Sequence, residues 1–239
     1  MEIYQKIIQE TARRILKPHG IIQIGRSRTW LDDQGWFVTQ IDFQPLDEDS
    51  LLNVGVDFLW SRKPDLDAAF AFAYGGQEPG SADFTGDETA FAAEFAALAE
   101  QGLEKALAYR RFRDPEYAKQ ILLQKYEQTK PEYRFWEGYD LAMLCFLFGN
   151  HADGMTYLRD FMENAAGNFY HPSGLYIAWH EEVLHRCEDL LPALADPQNA
   201  QQTVCNMIRQ RRALFTARAS YRKMQGDPVL PPVTRDLTM

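Results

Sequence analysis

The sequence predicts an α+β chain in which an N-terminal helix packs on a small antiparallel sheet, followed by an antiparallel helical array. Three observations predict it. Residues 2–17 carry one apolar stripe at helical spacing, several later segments alternate apolar and polar residues, and everything beyond residue 87 has helical pattern with short connections.

Tyr4, Ile7, Ile8, Thr11 and Ile15 form the first stripe, and Pro18 and Gly20 end that helix. Short extended segments follow at Ile21–Ile24 and Thr29–Leu31, and Asp32-Asp33-Gln34-Gly35 is a turn signal into a strand over Trp36–Gln44. There Phe37, Thr39, Ile41 and Phe43 point one way, and Gln40, Asp42 and Gln44 the other. Leu51–Phe58 sets Leu52, Val54, Val56 and Phe58 against Asn53 and Asp57, and Ala68–Tyr74 repeats the alternation. Clean period two predicts a sheet with one dry face, which the first helix covers. Gly75–Gly86 (GGQEPGSADFTG) has no periodicity and reads as a loop.

Beyond it, Asp87 or Thr85 caps a helix to about Arg113, and Asp114-Pro115 caps the next. Glu132–Phe148 is apolar nearly all round and reads as the central buried helix, stopped by Gly149-Asn150. Helices over Ala152–Ala166 and Gly174–Ala195 follow, and Asp196-Pro197 opens a last one to about Met224. The expected divisions are 1–80 (helix plus sheet), 87–225 (helical array) and a proline-rich tail, 226–239, the whole being able to pack as one domain. The run Leu141-Ala142 to Phe161, with Gly149-Asn150 and Gly154 between, resembles one tetratricopeptide-type unit with a small residue where two helices cross, and no further unit accompanies it.

The apolar content of 46% and charged content of 25% are those of a globular chain. The longest uncharged apolar run, Leu141–Gly149, falls far short of the ~20 residues that span a bilayer. No basic–apolar–small leader pattern opens the sequence, and Cys145, Cys187 and Cys205 are odd in number without close spacing, which fits a reducing, cytoplasmic setting.

Charge is segregated. Asp32 to Glu104 holds sixteen acidic and two basic residues, a net of −14, so the rest of the chain carries +5 against the total of −9. Arg209, Arg211, Arg212, Arg218, Arg222 and Lys223 meet no acid between Gln198 and Gly226. Two readings fit: the basic helix lies along the acidic half of its own chain, or the acidic half attracts an external partner. Arg211, Arg218 and Arg222 share the face of Val204, Ile208 and Phe215, so their stems cover core and their guanidinium groups meet Asp and Glu. A nucleic-acid helix presents a separate basic face, and with a pI near 5.1 nucleic acid is disfavoured as a partner.

Catalytic motifs fail on spacing. Trp179-His180-Glu181-Glu182-Val183-Leu184-His185 is one residue longer than a zinc-protease HExxH, which sets the two histidines about 140° apart on a helix. Glu181 or Glu182 with His185 supplies two ligands, and Glu137 and Asp140 are the only carboxylates available to complete a metal site. Asp140 sits in an apolar helix and needs a partner, for which an arginine of the last helix is the expectation. The glycines at 75, 76, 80 and 86 make no phosphate loop, no serine sits in a GxSxG elbow, and Cys145 reads as core. No cofactor and no catalytic residue is expected. The polar stripe Gln40, Asp42, Gln44, Asn53 and Asp57 lies in the most acidic part of the chain and is the candidate docking surface for a basic protein.

Leu16-Lys17-Pro18-His19-Gly20, Gly25-Arg26-Ser27-Arg28-Thr29-Trp30, Gln40-Ile41-Asp42-Phe43-Gln44 and Leu52-Asn53-Val54-Gly55-Val56 follow one another within residues 14–60. This run resembles a bacterial family of uncharacterised domains built from a helix and antiparallel strands, with Gly20-Ile21 where the family has Gly-Phe. The resemblance covers about a fifth of the chain and implies no catalytic residue. It implies a class of function, since some proteins with such domains look like immunity or accessory components encoded beside bacterial toxins. The expectation is therefore a non-catalytic protein-binding module, an immunity-type inhibitor whose acidic face takes a basic partner. A metal-assisted enzyme and a helical peptide-binding scaffold are the alternatives.

Overall fold

The first apolar stripe forms α1 (Ile3–Leu16) in a computed structural model that describes residues 2–46, 49–61, 72–130, 136–167, 178–224 and 228–231, without the side chains of 167, 178–180, 182 and 183. The stripe buries Ile8, Ala12, Ile15 and Leu16. Five strands follow in sheet order β1 (Ile22–Gln23), β2 (Thr29–Asp33), β3 (Phe37–Leu46), β4 (Asp49–Phe58) and β5 (Tyr74–Ala82), each antiparallel to its neighbour. Helices α2 (Glu88–Tyr109), α3 (Pro115–Gln128), α4 (Trp136–Leu147), α5 (His151–Gly167), α6 (Ala178–Ala195) and α7 (Pro197–Thr216) complete an α+β chain. Among the described residues no helix is long and apolar enough to cross a membrane.

The alternation read from the sequence sets the sheet register. Phe37, Thr39, Ile41 and Phe43 of β3 stand opposite Phe58, Val56, Val54 and Leu52 of β4. Ile41, Phe43, Leu52 and Val54 join Trp30 with Ile8, Leu16, Phe91, Phe95 and Leu98 in one core, so α1 and α2 cover this face together. Full burial of each large side chain contributes ~1.5–3 kcal/mol before conformational entropy is subtracted.

Three sequence expectations need correction here. The stretch from Gly75 is not a loop: Tyr74–Ala82 is the edge strand β5. Its composition hid it, because an edge strand tolerates Pro79 and glycines at positive φ (Gly75 +93°, Gly80 +98°). Most of the expected strand Ala68–Tyr74 lies outside the described residues. The helical half also does not begin cleanly at residue 87, since α2 packs on the sheet through Phe91, Phe95, Leu98 and Ala99. The chain divides into one compact unit of Met1–Arg111 with Arg209–Val229, and another of Phe112–Ile208 with Leu230–Met239. The last helix is shorter than expected: α7 ends at Thr216, and a 3-10 turn, Ala219–Tyr221, follows.

Helix ends match the sequence signals closely. Asp87 Oδ1 accepts from the Thr89 and Ala90 amides at 2.9 and 3.0 Å, and Asp114 Oδ1 accepts from Glu116 and Tyr117 ahead of Pro115. Gly149, at φ +79°, ends α4: its amide donates to Phe146 O and the Asn150 amide to Cys145 O, a Schellman closure.

In the second unit α3, α4, α5 and α6 pack each on the next, and Gly138 through Leu147 of α4 are all buried. Gly154 marks the α4–α5 crossing, where a Cβ would lie 2.6 Å from the Phe146 ring. In an open helix Gly→Ala brings ~1 kcal/mol, but overpacking a buried ring costs ~1–3 kcal/mol. Gly154→Ala is therefore expected to lower stability by about 1 kcal/mol in urea denaturation, opposite in sign to the propensity effect.

Candidate protein-binding surface

The polar stripe on the sheet is not an open surface. Gln40, Asn53 and Asp57 are 0%, 3% and 2% exposed, and only Asp42 and Gln44 are partly accessible. Alternation says which side chains share a face; it does not say what covers that face. Part of the cover is Phe72, whose ring occupies the space beside Gly55, directly opposite Gln40 in the register.

The end of α7 covers more of it. Arg211 Nη2 sits 3.1 Å from Asp57 Oδ2, and Nη1 donates to Phe58 O at 2.6 Å. Arg212 holds Asp33 with two bonds of 2.7 Å and donates to Gly35 O at 2.9 Å. A third fork comes from α2's end, where Arg110 Nε and Nη2 reach Asp32 at 2.8 and 3.0 Å and Nη2 also donates to His19 O. Bidentate pairing of this kind is charge-assisted and directional. Asp32, Asp33 and Asp57, all within the acidic stretch, are thus neutralised inside the unit. Of the two readings of the basic helix, Asp33 and Asp57 follow the intramolecular one.

Two groups of the stripe keep unusual surroundings. Both amide atoms of Gln40 are buried without a hydrogen-bond partner among the described residues. Asp42 accepts from Thr29 Oγ1 at 2.8 Å, yet burial raises its pKa above the ordinary carboxylate value, against the lowering pull of Thr29 and Arg28. A raised folded pKa means stability is gained as pH falls through it and lost as pH rises. Asp42→Asn is accordingly expected to stabilise the chain at neutral pH, and the advantage is expected to shrink toward acid pH in parallel urea titrations.

Among the described side chains the metal candidates do not assemble into a site. His185 and Glu181 are exposed on α6, where His185 Nδ1 lies 3.0 Å from Glu188 and Nε2 lies 3.8 Å from Glu181. Glu188 first, then Glu181, raises the pKa of the imidazole above its ordinary value. Glu137 pairs with Lys125 at 3.3 Å, and Asp140 is buried in α4. The His180 and Glu182 side chains lie outside the description. Among the described residues no group of three or more His, Cys, Asp or Glu side chains is placed to hold a metal ion. Arg211 and Arg212 of the last helix pair with Asp57 and Asp33. Cys145 is core, its thiol pushed up to about 11, first by burial.

The acidic surface that stays open lies within the stretch Asp32 to Glu104 but outside the polar stripe named from the sequence. Asp83, Asp87, Glu88, Glu94, Glu100 and Glu104 are all exposed, and none has an ion-pair partner among the described residues. Lys105, the one basic residue of α2, is taken by Glu78 at 3.1 Å. Ala90, Ala93 and Ala97 are exposed on the same helix, away from the buried Phe91, Phe95, Leu98 and Gly102. The available signal was the helical spacing itself, which sets Glu100 and Glu104 opposite that core stripe.

Comparison with protein-family models, with curated proteins and with solved structures gives no significant match.

Proposed function

We propose that the chain is a non-catalytic protein-binding module whose outer α2 face receives a basic protein. One observation carries the reading: six exposed carboxylates from Asp83 to Glu104 have no cation partner among the described residues, while Asp32, Asp33 and Asp57 have arginines of their own. An exposed field of one sign steers a partner of opposite sign and selects against acidic ones. The resemblance of residues 14–60 to domains found in toxin-associated immunity components supports the same class. The partner-binding residues proposed are then Glu94, Glu100 and Glu104, in place of Gln40, Asn53 and Asp57.

The test is calorimetric titration with the product of the gene adjacent to this chain's own. Binding is expected to weaken about tenfold between low and high salt and to be lost in Glu94→Lys/Glu100→Lys/Glu104→Lys. No binding, or binding indifferent to both changes, would count against the proposal.

A peptide-binding scaffold is the second reading, favoured by the neighbour-on-neighbour packing of α3 to α6, which in helical arrays builds an extended surface. That reading places binding on the second unit and predicts no effect of the α2 substitutions.

A further inference from the structure

The outer surface of α1 has the charge that the α2 face lacks. Lys6, Arg13, Arg14 and Lys17 are exposed there, interrupted by Glu10, with Glu2 at the end of the helix. None of the four cations has an ion-pair partner among the described residues. The two helices pack on each other and run parallel. Tyr4 meets Phe84, just before α2, with ring centroids 5.7 Å apart, and at the far ends Arg110 bonds His19 O at 2.7 Å. Lys6 is therefore level with the first half of α2, which carries Glu88 and Glu94. Arg13, Arg14 and Lys17 are level with the second half, which carries Glu100 and Glu104.

Two parallel helices of opposite charge, side by side on one face, are self-complementary under a two-fold axis. An axis in the plane of contact, along the groove between them, carries α1 of one copy onto α2 of the other. It also keeps the level of each residue along the helix. Cations then meet carboxylates at both ends, twice per dimer. We propose, resting on the reading of α2 as a protein-binding face, that this surface takes a second copy of the chain as an isologous α1–α2 dimer.

The footprint sets the strength. A helix of 14 residues is ~21 Å long, and two helices side by side are ~20 Å wide, so each copy covers about 400 Å². The total of about 800 Å² is at the low end for specific association. Ile3, 41% exposed, is the main apolar group on the α1 side. The dimer is thus weak, reversible and salt-sensitive, and a basic partner competes with the second copy for the same carboxylates.

Sedimentation velocity of the full chain tests this at roughly 20 mM and roughly 500 mM salt, where the Debye length falls from ~20 to ~4 Å. A concentration-dependent dimer is expected at low salt, with association weakened at least about tenfold at high salt. Arg13→Glu/Arg14→Glu/Lys17→Glu and Glu94→Lys/Glu100→Lys/Glu104→Lys are each expected to be monomeric. Mixed in equal amounts they are expected to form a heterodimer, because each supplies the charge the other has reversed. All these positions are exposed, and unchanged circular dichroism checks that both variants fold. A wild-type monomer at low salt, a salt-indifferent dimer, or two reversed variants that do not pair on mixing would each overturn the proposal. If the chain is monomeric yet binds its neighbour's product through α2, only the second-copy assignment falls; dimerisation without that binding removes the heterologous partner alone.

Discussion

Asp57→Ala is expected to be among the most destabilising single changes in the chain, costing ~3–5 kcal/mol, because it strands a buried guanidinium. The side chains of Arg211 and Asp57 are only 4% and 3% exposed. Removing the carboxylate leaves Arg211 with the Phe58 carbonyl and the Phe215 ring, 5.3 Å from its guanidinium carbon, and with no anion among the described residues. The pair itself is a poor guide to net stability, since taking both charges out of water offsets most of their attraction. Asp57→Ala/Arg211→Met is therefore expected to recover most of the loss in urea denaturation. A double variant as unstable as the single one would mean that the ion pair is not the source of the cost.

Gly55→Ala is the second large effect. The new Cβ would lie 2.1 Å from the Phe72 ring, so the ring must leave the sheet. Displacing a packed Phe costs ~1.5–3 kcal/mol. The diagnostic is non-additivity: in a Phe72→Ala background the space is already free, and Gly55→Ala is expected to cost nearly nothing. Equal losses in both backgrounds would show that Phe72 is not what the glycine accommodates. The same cycle asks whether Phe72 shields Gln40, whose amide would gain solvent partners once the ring is gone.

These two sites also show where the sequence stops informing. Local rules worked: Asp87, Asp114-Pro115 and Gly149 cap or close helices where expected, and alternation in residues 37–58 gave the strand pairing. Even the inward-facing arginine on α7 could be read, because Arg211 shares a side with Ile208 and Phe215. Its target could not. Asp57 and Arg211 are 154 residues apart in sequence, and nothing local to either names the other. The polar stripe reads as an open docking surface because polar side chains on a strand are usually accessible, whereas here Phe72 and the end of α7 lie over it. The edge strand β5 was missed for the converse reason, that glycine and proline write a loop even where the backbone pairs. The open acidic face of α2 lay within the −14 stretch all along, but total charge hides which carboxylates have been answered by an arginine.

The central claim is that available negative charge sits on α2 and not on Asp32, Asp33 and Asp57 of the sheet. Carbodiimide-driven amidation of the native chain, followed by peptide mass spectrometry, measures it carboxylate by carboxylate. Glu94, Glu100 and Glu104 are expected to label rapidly, with Asp32, Asp33 and Asp57 protected until the chain is denatured. Native labelling of Asp33 and Asp57 at the rate of Glu100 would contradict it.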